Sequence, residues 1–244
     1  MRAWGLTDVG KVRTQNQDSY CIDLVPENKT GILVICDGMG GANAGNIASE
    51  MAVGAYVEDL KAELRPQMTV KQLEKAAHHA LEYANNTVHE QSKTNREYTG
   101  MGTTLVSCII AGNSAVVVNV GDSRAYLVND KGIEQITRDH SMVEELVERG
   151  EITKEEAKRH PHKNLITRAL GTGSRVHGDF YPIKLKNGDN ILLCSDGVSN
   201  ILSDQELLYE VIHNEEKETC CQRIINAVIE RGAPDNATVV IYEK

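Results

Sequence analysis

The sequence predicts an α+β fold: a four-layer α-β-β-α sandwich, with a central antiparallel β-sandwich flanked by helix pairs and a flap subdomain. Three observations point there. Helical and strand-like segments are segregated along the chain instead of alternating, which favours packed sheets over a doubly wound parallel sheet. The strand-like runs are rich in β-branched residues and are broken by turn signals such as Gly112-Asn113 and Lys131-Gly132. The helical runs carry apolar stripes at i+4 spacing and open on capping boxes.

The elements follow in order. AWGLTDVG and SYCIDLV read as strands before ILVIC at 32–36. A helix fits 46–64, where Ala52, Tyr56, Leu60 and Leu64 share a face and Pro66 helps end it. The next helix opens at Thr69 with Gln72 three residues on, and its stripe is Val70, Leu73, Ala77, Leu81, Ala84 and Val88. TTLVSCIIAG, SAVVVNVG, RAYLVND and IEQIT then read as strands. SMVE at 141–144 and TKEE at 153–156 match capping boxes, with Gly150 placed as a C-cap glycine between them. Strands are expected at about 176–185 and 190–195, helices at 203–214 and 217–231, and a last strand in ATVVIYE. The chain reads as a single domain over 1–244, and its most hydrophilic stretch, about 139–170, is the expected flap.

Composition narrows the function. Hydrophobic content of 41% and charged content of 25% suit a soluble globular protein, and no apolar run approaches a membrane span. The N-terminus lacks an apolar signal core, so no secretion is expected. Six cysteines without C-x-x-C spacing, several in apolar runs, read as buried free thiols in a reducing cytoplasm. A net charge of −9 argues against a nucleic-acid surface, and a monomer is the simplest expectation.

The stretch ILVICDGMGGANAG tests two phosphate-loop readings and fails both. Asn43 stands where a dinucleotide fingerprint needs its third glycine, and Asn46-Ile47 stand where a P-loop needs Lys and Ser or Thr. What recurs instead is an aspartate at a strand end or tight turn: Asp18, Asp37, Asp122, Asp196 and Asp235, each beside Gly, Asn or Ser. Gathered in one cleft, such carboxylates would raise one another's pKa. Hard divalent cations relieve that, and oxygen-only ligation favours Mg²⁺ or Mn²⁺ over Zn²⁺. Two such cations ~4 Å apart convert a bridging water to hydroxide near neutral pH, a nucleophile suited to a phosphorus ester. Arg13, shortly before Asp18, is the candidate clamp on phosphate.

Taken together, RTQNQD (13–18), VICDGMGG (34–41), GMGTT (100–104), VNVGDSR (118–124), TRDHS (137–141), ITRALG (166–171), LLCSDGVSN (193–200) and APDNATVV (233–240) resemble the PPM family of metal-dependent, type-2C Ser/Thr phosphatases. The resemblance is strongest to the compact bacterial members that oppose membrane Ser/Thr kinases. It implies a β-sandwich flanked by helix pairs, two core Mn²⁺ or Mg²⁺ ions and a weaker third. Asp37 would bridge the first two, with the Gly38 carbonyl on the first and Asp196 and Asp235 on the second. Asp122, with Asp196, would hold the third. Arg13 would bind phosphate, Asp18 would orient water on the metals, and Asn236 would help position Asp235.

Many eukaryotic members carry a histidine after the first Asp-Gly, where this chain has Met39. The general acid is thus left open between water on a metal and a flap histidine, His140, His160 or His162, each of which also reads as a solvated or structural residue. The flap cations Lys154, Lys158, Arg159, Lys163 and Arg168 read either as a solvated face or as a basic island that would guide acidic phosphoprotein segments. Phosphorylated proteins are the expected partners, among them a Ser/Thr kinase and its substrates. The alternatives are a phosphatase specific to one regulator, a pseudophosphatase acting as a binding module, and a small-molecule phosphoesterase.

Overall fold

The computed structural model describes residues 1–40, 44–213 and 217–244. Gly41 of VICDGMGG, Asn43 and Asn214 at the end of a predicted helix lie outside them. The elements run β1 (Arg2–Asp8), β2 (Asp18–Val25), β3 (Thr30–Met39), α1 (Gly45–Glu63), α2 (Val70–Ser92), β4 (Gly102–Thr103), β5 (Leu105–Ala111) and β6 (Ser114–Val120). They continue with β7 (Arg124–Asn129), β8 (Gly132–Gln135), α3 (Met142–Glu148), α4 (Lys154–Arg159), β9 (Asp179–Lys184) and β10 (Asn190–Cys194). The chain closes with α5 (Asp196–Ser199), α6 (Asp204–Ile212), α7 (Cys220–Glu230) and β11 (Ala237–Glu243).

Two sheets form, ordered β1-β11-β10-β7-β8 and β2-β3-β5-β6-β9, with β4 added against β3. The pairings among the described strands are antiparallel. Three apolar clusters fill the three interfaces of four layers. One joins α1 and α2 to the β3 face carrying Ile32, Val34 and Cys36. The second lies between the sheets and takes Leu33 and Ile35 from the opposite face of β3, with Val240 and Tyr242 of β11. The third sets Val239 and Ile241 of β11 against α6 and α7. Alternate side chains thus enter different cores, which is why the central strands read as unbroken apolar runs. The predicted four-layer sandwich is borne out.

The helix starts follow their caps. Thr69 with Gln72, Thr153 with Glu156 and Ser203 with Glu206 form reciprocal boxes. Ser141 does only half of this: its hydroxyl accepts from the Glu144 amide, and no return bond forms. The sequence reading also ended the third strand too early. β3 runs on through Asp37 to Met39 because Gly38 and Met39 pair with Thr103 and Gly102 of β4. Asp37 therefore lies within a strand, where its backbone is fixed on both sides. α5 was not foreseen; it is a single turn that begins at Asp196.

Candidate active site

The expected residues meet at one end of the sandwich. Asp18 opens β2 and is the register partner of Asp37 across the β2–β3 pair. Asp122 lies in the connection from β6 to β7, which crosses from one sheet to the other. Asp196 follows β10, and Asp235 precedes β11, its neighbour in the sheet. Both sheets thus contribute carboxylates to one cleft.

Close backbone approach, more than turn geometry, explains the glycines of the two Asp-Gly pairs. A Cβ on Gly38 would stand 2.0 Å from the Gly45 carbonyl oxygen, and one on Gly197 would stand 1.9 Å from that of Asn236. Any side chain at 197 would push the Asp235 segment away from Asp196. Asn236, 4% exposed, staples the same region. Its side-chain carbonyl accepts from the Gln17 amide at 2.9 Å, and its NH₂ donates to the Val9 and Gln15 carbonyls at 2.9 and 3.0 Å. The Asn236 amide donates to Asp235 Oδ1 at 2.9 Å. The side chain expected to position Asp235 mainly holds the loop that carries Arg13, and the backbone holds Asp235.

Asp37 is anchored through its main chain. Its amide donates to Thr104 Oγ1 at 3.0 Å, and its carbonyl accepts from the Thr103 hydroxyl at 2.9 Å and the Thr104 amide at 2.8 Å. The Thr104 hydroxyl also meets Ser123 Oγ at 2.8 Å, tying β3 to the Asp122 connection. Arg124, which opens β7 just after that connection, makes a forked ion pair with Asp139, its shortest N–O distance 2.7 Å.

The charges are unbalanced. Asp37, Asp122, Asp196 and Asp235 are half-buried. Desolvation holds the Asp37 carboxyl well above its ordinary range, and Asp18, Asp196, Asp122 and Asp235 add repulsion. Asp122 is pushed up to about 8, by desolvation first and Asp196 second. Asp196 is raised by desolvation and by Asp235, and is held back by a hydrogen bond shared with Asp37. Asp18, 7% exposed, is raised by burial to about 6 although the Thr238 and Ser195 hydroxyls donate to its Oδ2 at 2.6 and 2.8 Å. Its Oδ1 is buried without a protein partner. Arg13 Nη2 donates to Asp235 Oδ2 at 2.9 Å. An acidic cleft with one orphaned carboxylate oxygen and one facing arginine fits hard divalent cations; protein donors alone leave it unsatisfied.

The flap histidines do not join this cluster. His140 is buried with both ring nitrogens engaged, which withdraws it as a proton donor to substrate. His160 and His162 sit beside each other on the flap, their ring centroids 5.7 Å apart and their planes tilted by 54°. The basic island is partly neutralised: Lys158 pairs with Glu155 at 2.8 Å and Arg168 with Asp179 at 2.9 Å. Lys154, Arg159 and Lys163 remain exposed. Two further features lie apart from the carboxylates. A cavity of about 450 Å³ sits between α2 and residues 174–178. Asp59, Glu63 and His79 form an ion-pair cluster on α1 and α2.

A sandwich with an acidic cleft at its rim defines a metal-assisted hydrolase class. Comparison with known proteins agrees: the family model described as protein phosphatase 2C matches residues 11–228. The serine/threonine phosphatase stp of Listeria monocytogenes serotype 4b is 36% identical over 247 residues, covering 100% of this chain and 96% of that protein. The crystal structure of the serine/threonine phosphatase Stp1 from Staphylococcus aureus superposes with a TM-score of 0.92 at 35% identity, covering 99% of this chain and 94% of that one. The catalytic domain of the serine/threonine protein phosphatase PstP, solved with two manganese ions, gives 0.85 at 35% identity, with 99% and 97% covered. The chain belongs to the protein phosphatase 2C family.

Proposed function

We propose that the protein hydrolyses phosphoserine and phosphothreonine esters of proteins, with two Mn²⁺ or Mg²⁺ ions and a weaker third in the acidic cleft. The convergence of Asp37, Asp122, Asp196 and Asp235 beside Arg13 carries this reading, on a chain whose family is metal-dependent. Asp37 and the Gly38 carbonyl, with Asp196 and Asp235, would hold the core ions, and Asp122 with Asp196 the third. Bound there, the ions supply Lewis acidity and an acidified water.

The chain's own groups do the rest. Arg13 presents a forked donor to the phosphate and offsets charge on the transferring group. Asp18 is locked through Oδ2 and keeps a buried Oδ1 without a protein partner, which we read as an acceptor for a water proton. Lys154, Arg159 and Lys163 attract acidic segments that flank the phosphorylated residue. We read residues 1–244 as one catalytic domain with its flap at about 139–170. We read it as a monomer that reverses a Ser/Thr kinase, and the six free cysteines support a cytoplasmic location.

The test is phosphate release from a phosphothreonine peptide, with Mn²⁺ and then with EDTA, for the wild type and Asp196→Asn. Release that needs the metal and is lost in the variant supports the reading. No release from folded, metal-loaded wild type would overturn it.

A further inference from the structure

His140 stands at the junction of the flap and the Asp122 connection, and it is 4% exposed. Its Nδ1 accepts from the Gly121 amide at 3.1 Å, and its own amide donates to the Gly121 carbonyl at 2.9 Å. A nitrogen that accepts carries no proton, so the ring proton sits on Nε2 and points at Asp179 Oδ2, 3.1 Å away. Asp179 is held in turn by Arg168, whose Nη1 donates to Oδ1 at 2.9 Å. The His140 carbonyl accepts from the Thr167 amide at 2.8 Å. One side chain therefore binds the residue before Asp122, while its neighbours gather both ends of the flap.

From this geometry we infer that His140 is a positioning residue that fixes the Asp122 carboxylate through Gly121. Gly121 has φ +108°, and a Cβ there would stand 2.6 Å from the Thr104 side chain. The left-handed backbone at 121 is kept by two bonds to His140, by the Asn119 side chain on its carbonyl and by Thr104 behind it, and it sets the direction in which Asp122 leaves the sheet. Arg124–Asp139 fixes the other flank of Asp122; on the Gly121 side Asn119 Nδ2 also donates to the Gly121 carbonyl at 3.1 Å, so the group that depends on the His140 ring is the Gly121 amide. The inference rests on the reading of Asp122 as a metal ligand.

Mn²⁺ titration calorimetry on metal-free protein tests it, with melting curves run alongside to confirm folding. His140→Asn keeps an acceptor near the position of Nδ1 and loses the reach to Asp179. His140→Gln keeps the reach of Nε2 and loses the bond to Gly121. We expect His140→Gln to weaken the Asp122-dependent Mn²⁺ binding about 10–100-fold, as loss of a ligand-orienting partner does. We expect His140→Asn to restore most of it, and His140→Gln to add nothing in an Asp122→Asn background. Equal losses in both variants, additive losses in the double variant, or lowered melting temperature with unchanged binding would each overturn the inference and leave His140 a packing residue. If Asp122→Asn alone binds Mn²⁺ like the wild type, the assignment of Asp122 falls instead, and the inference falls with it.

Discussion

Arg13 is ion-paired with Asp235, the Nη2–Oδ2 distance being 2.9 Å. The cation proposed for substrate phosphate thus rests on a carboxylate proposed for metal. The Arg13 side chain is 52% exposed, and pairs of that kind contribute about 0–1 kcal/mol, so it can swing from Asp235 at little cost. A charge-assisted hydrogen bond to phosphate is worth about 1.5–3 kcal/mol. Arg13→Ala should therefore lower kcat/KM by roughly 10–100-fold with little change in melting temperature. Arg13→Lys should recover part of the loss, because a lysine keeps the charge without the fork. Steady-state kinetics on a phosphopeptide decide this, and unchanged kcat/KM in Arg13→Ala would remove Arg13 from the site.

Asp196 is repelled by Asp235 and shares a hydrogen bond with Asp37 in a half-buried cleft. Asp196→Asn removes one repelling charge and one metal ligand together. Metal-free Asp196→Asn should melt at or above the wild-type temperature, and Mn²⁺ should fail to raise it. In the wild type, Mn²⁺ at 100 times its dissociation constant should add about 2.7 kcal/mol, or several degrees. Thermal melts with EDTA and with Mn²⁺ measure both effects. A variant stabilised by Mn²⁺ as strongly as the wild type would show that Asp196 holds no metal.

The raised carboxyls set a pH dependence for the metal-free protein. Asp18 moves from 3.8 to about 6 and Asp122 from 3.8 to about 8 on folding. Between about pH 4 and 8 these groups hold more protons in the folded state than in the unfolded chain. Their contribution to stability is thus fully present below about pH 4 and is lost as pH rises through the folded values. Metal-free protein should lose melting temperature from about pH 5 to 8, and the gain from Mn²⁺ should grow over the same range as protons leave the ligands. Melts across that range, with and without EDTA, test the sign. A metal-free melting temperature that climbs steadily with pH would contradict it.

The sequence displayed the layers well because each core residue of β3 and β11 serves one of two interfaces, and that produces long apolar runs. The five aspartates were legible because each stands at a strand end or tight turn beside Gly, Asn or Ser. Distances along the chain hid the rest. The bond from Asn236 to Gln17 spans 219 residues, and nothing in APDNATVV signals that its asparagine holds the Arg13 loop. The extension of β3 to Met39 was missed because the strand that pairs with Gly38 and Met39 is only two residues long, Gly102–Thr103, too short to show a period. TRDHS leaves His140 open between a proton donor and a structural residue, and its burial and two partners favour the structural part.

Asp18 depends on two hydroxyls that the sequence did not single out. The Thr238 hydroxyl donates to Asp18 Oδ2 at 2.6 Å and meets Thr7 Oγ1 at 2.7 Å, while the Thr238 amide donates to Ser195 Oγ, which in turn donates to Asp18. These donors lower the Asp18 pKa against the larger effect of burial. Thr238→Val keeps the shape and β-branching of the side chain and deletes one donor. The expected cost is about 1–3 kcal/mol of stability, since a buried carboxylate oxygen loses a partner. The Asp18 carboxyl should also rise above about 6, so the acid limb of the kcat/KM profile should shift to higher pH. Ser195→Ala should act in the same direction. A profile that keeps its acid limb in both variants, with stability lost as expected, would confine Asp18 to a structural part and exclude it from handling the water proton.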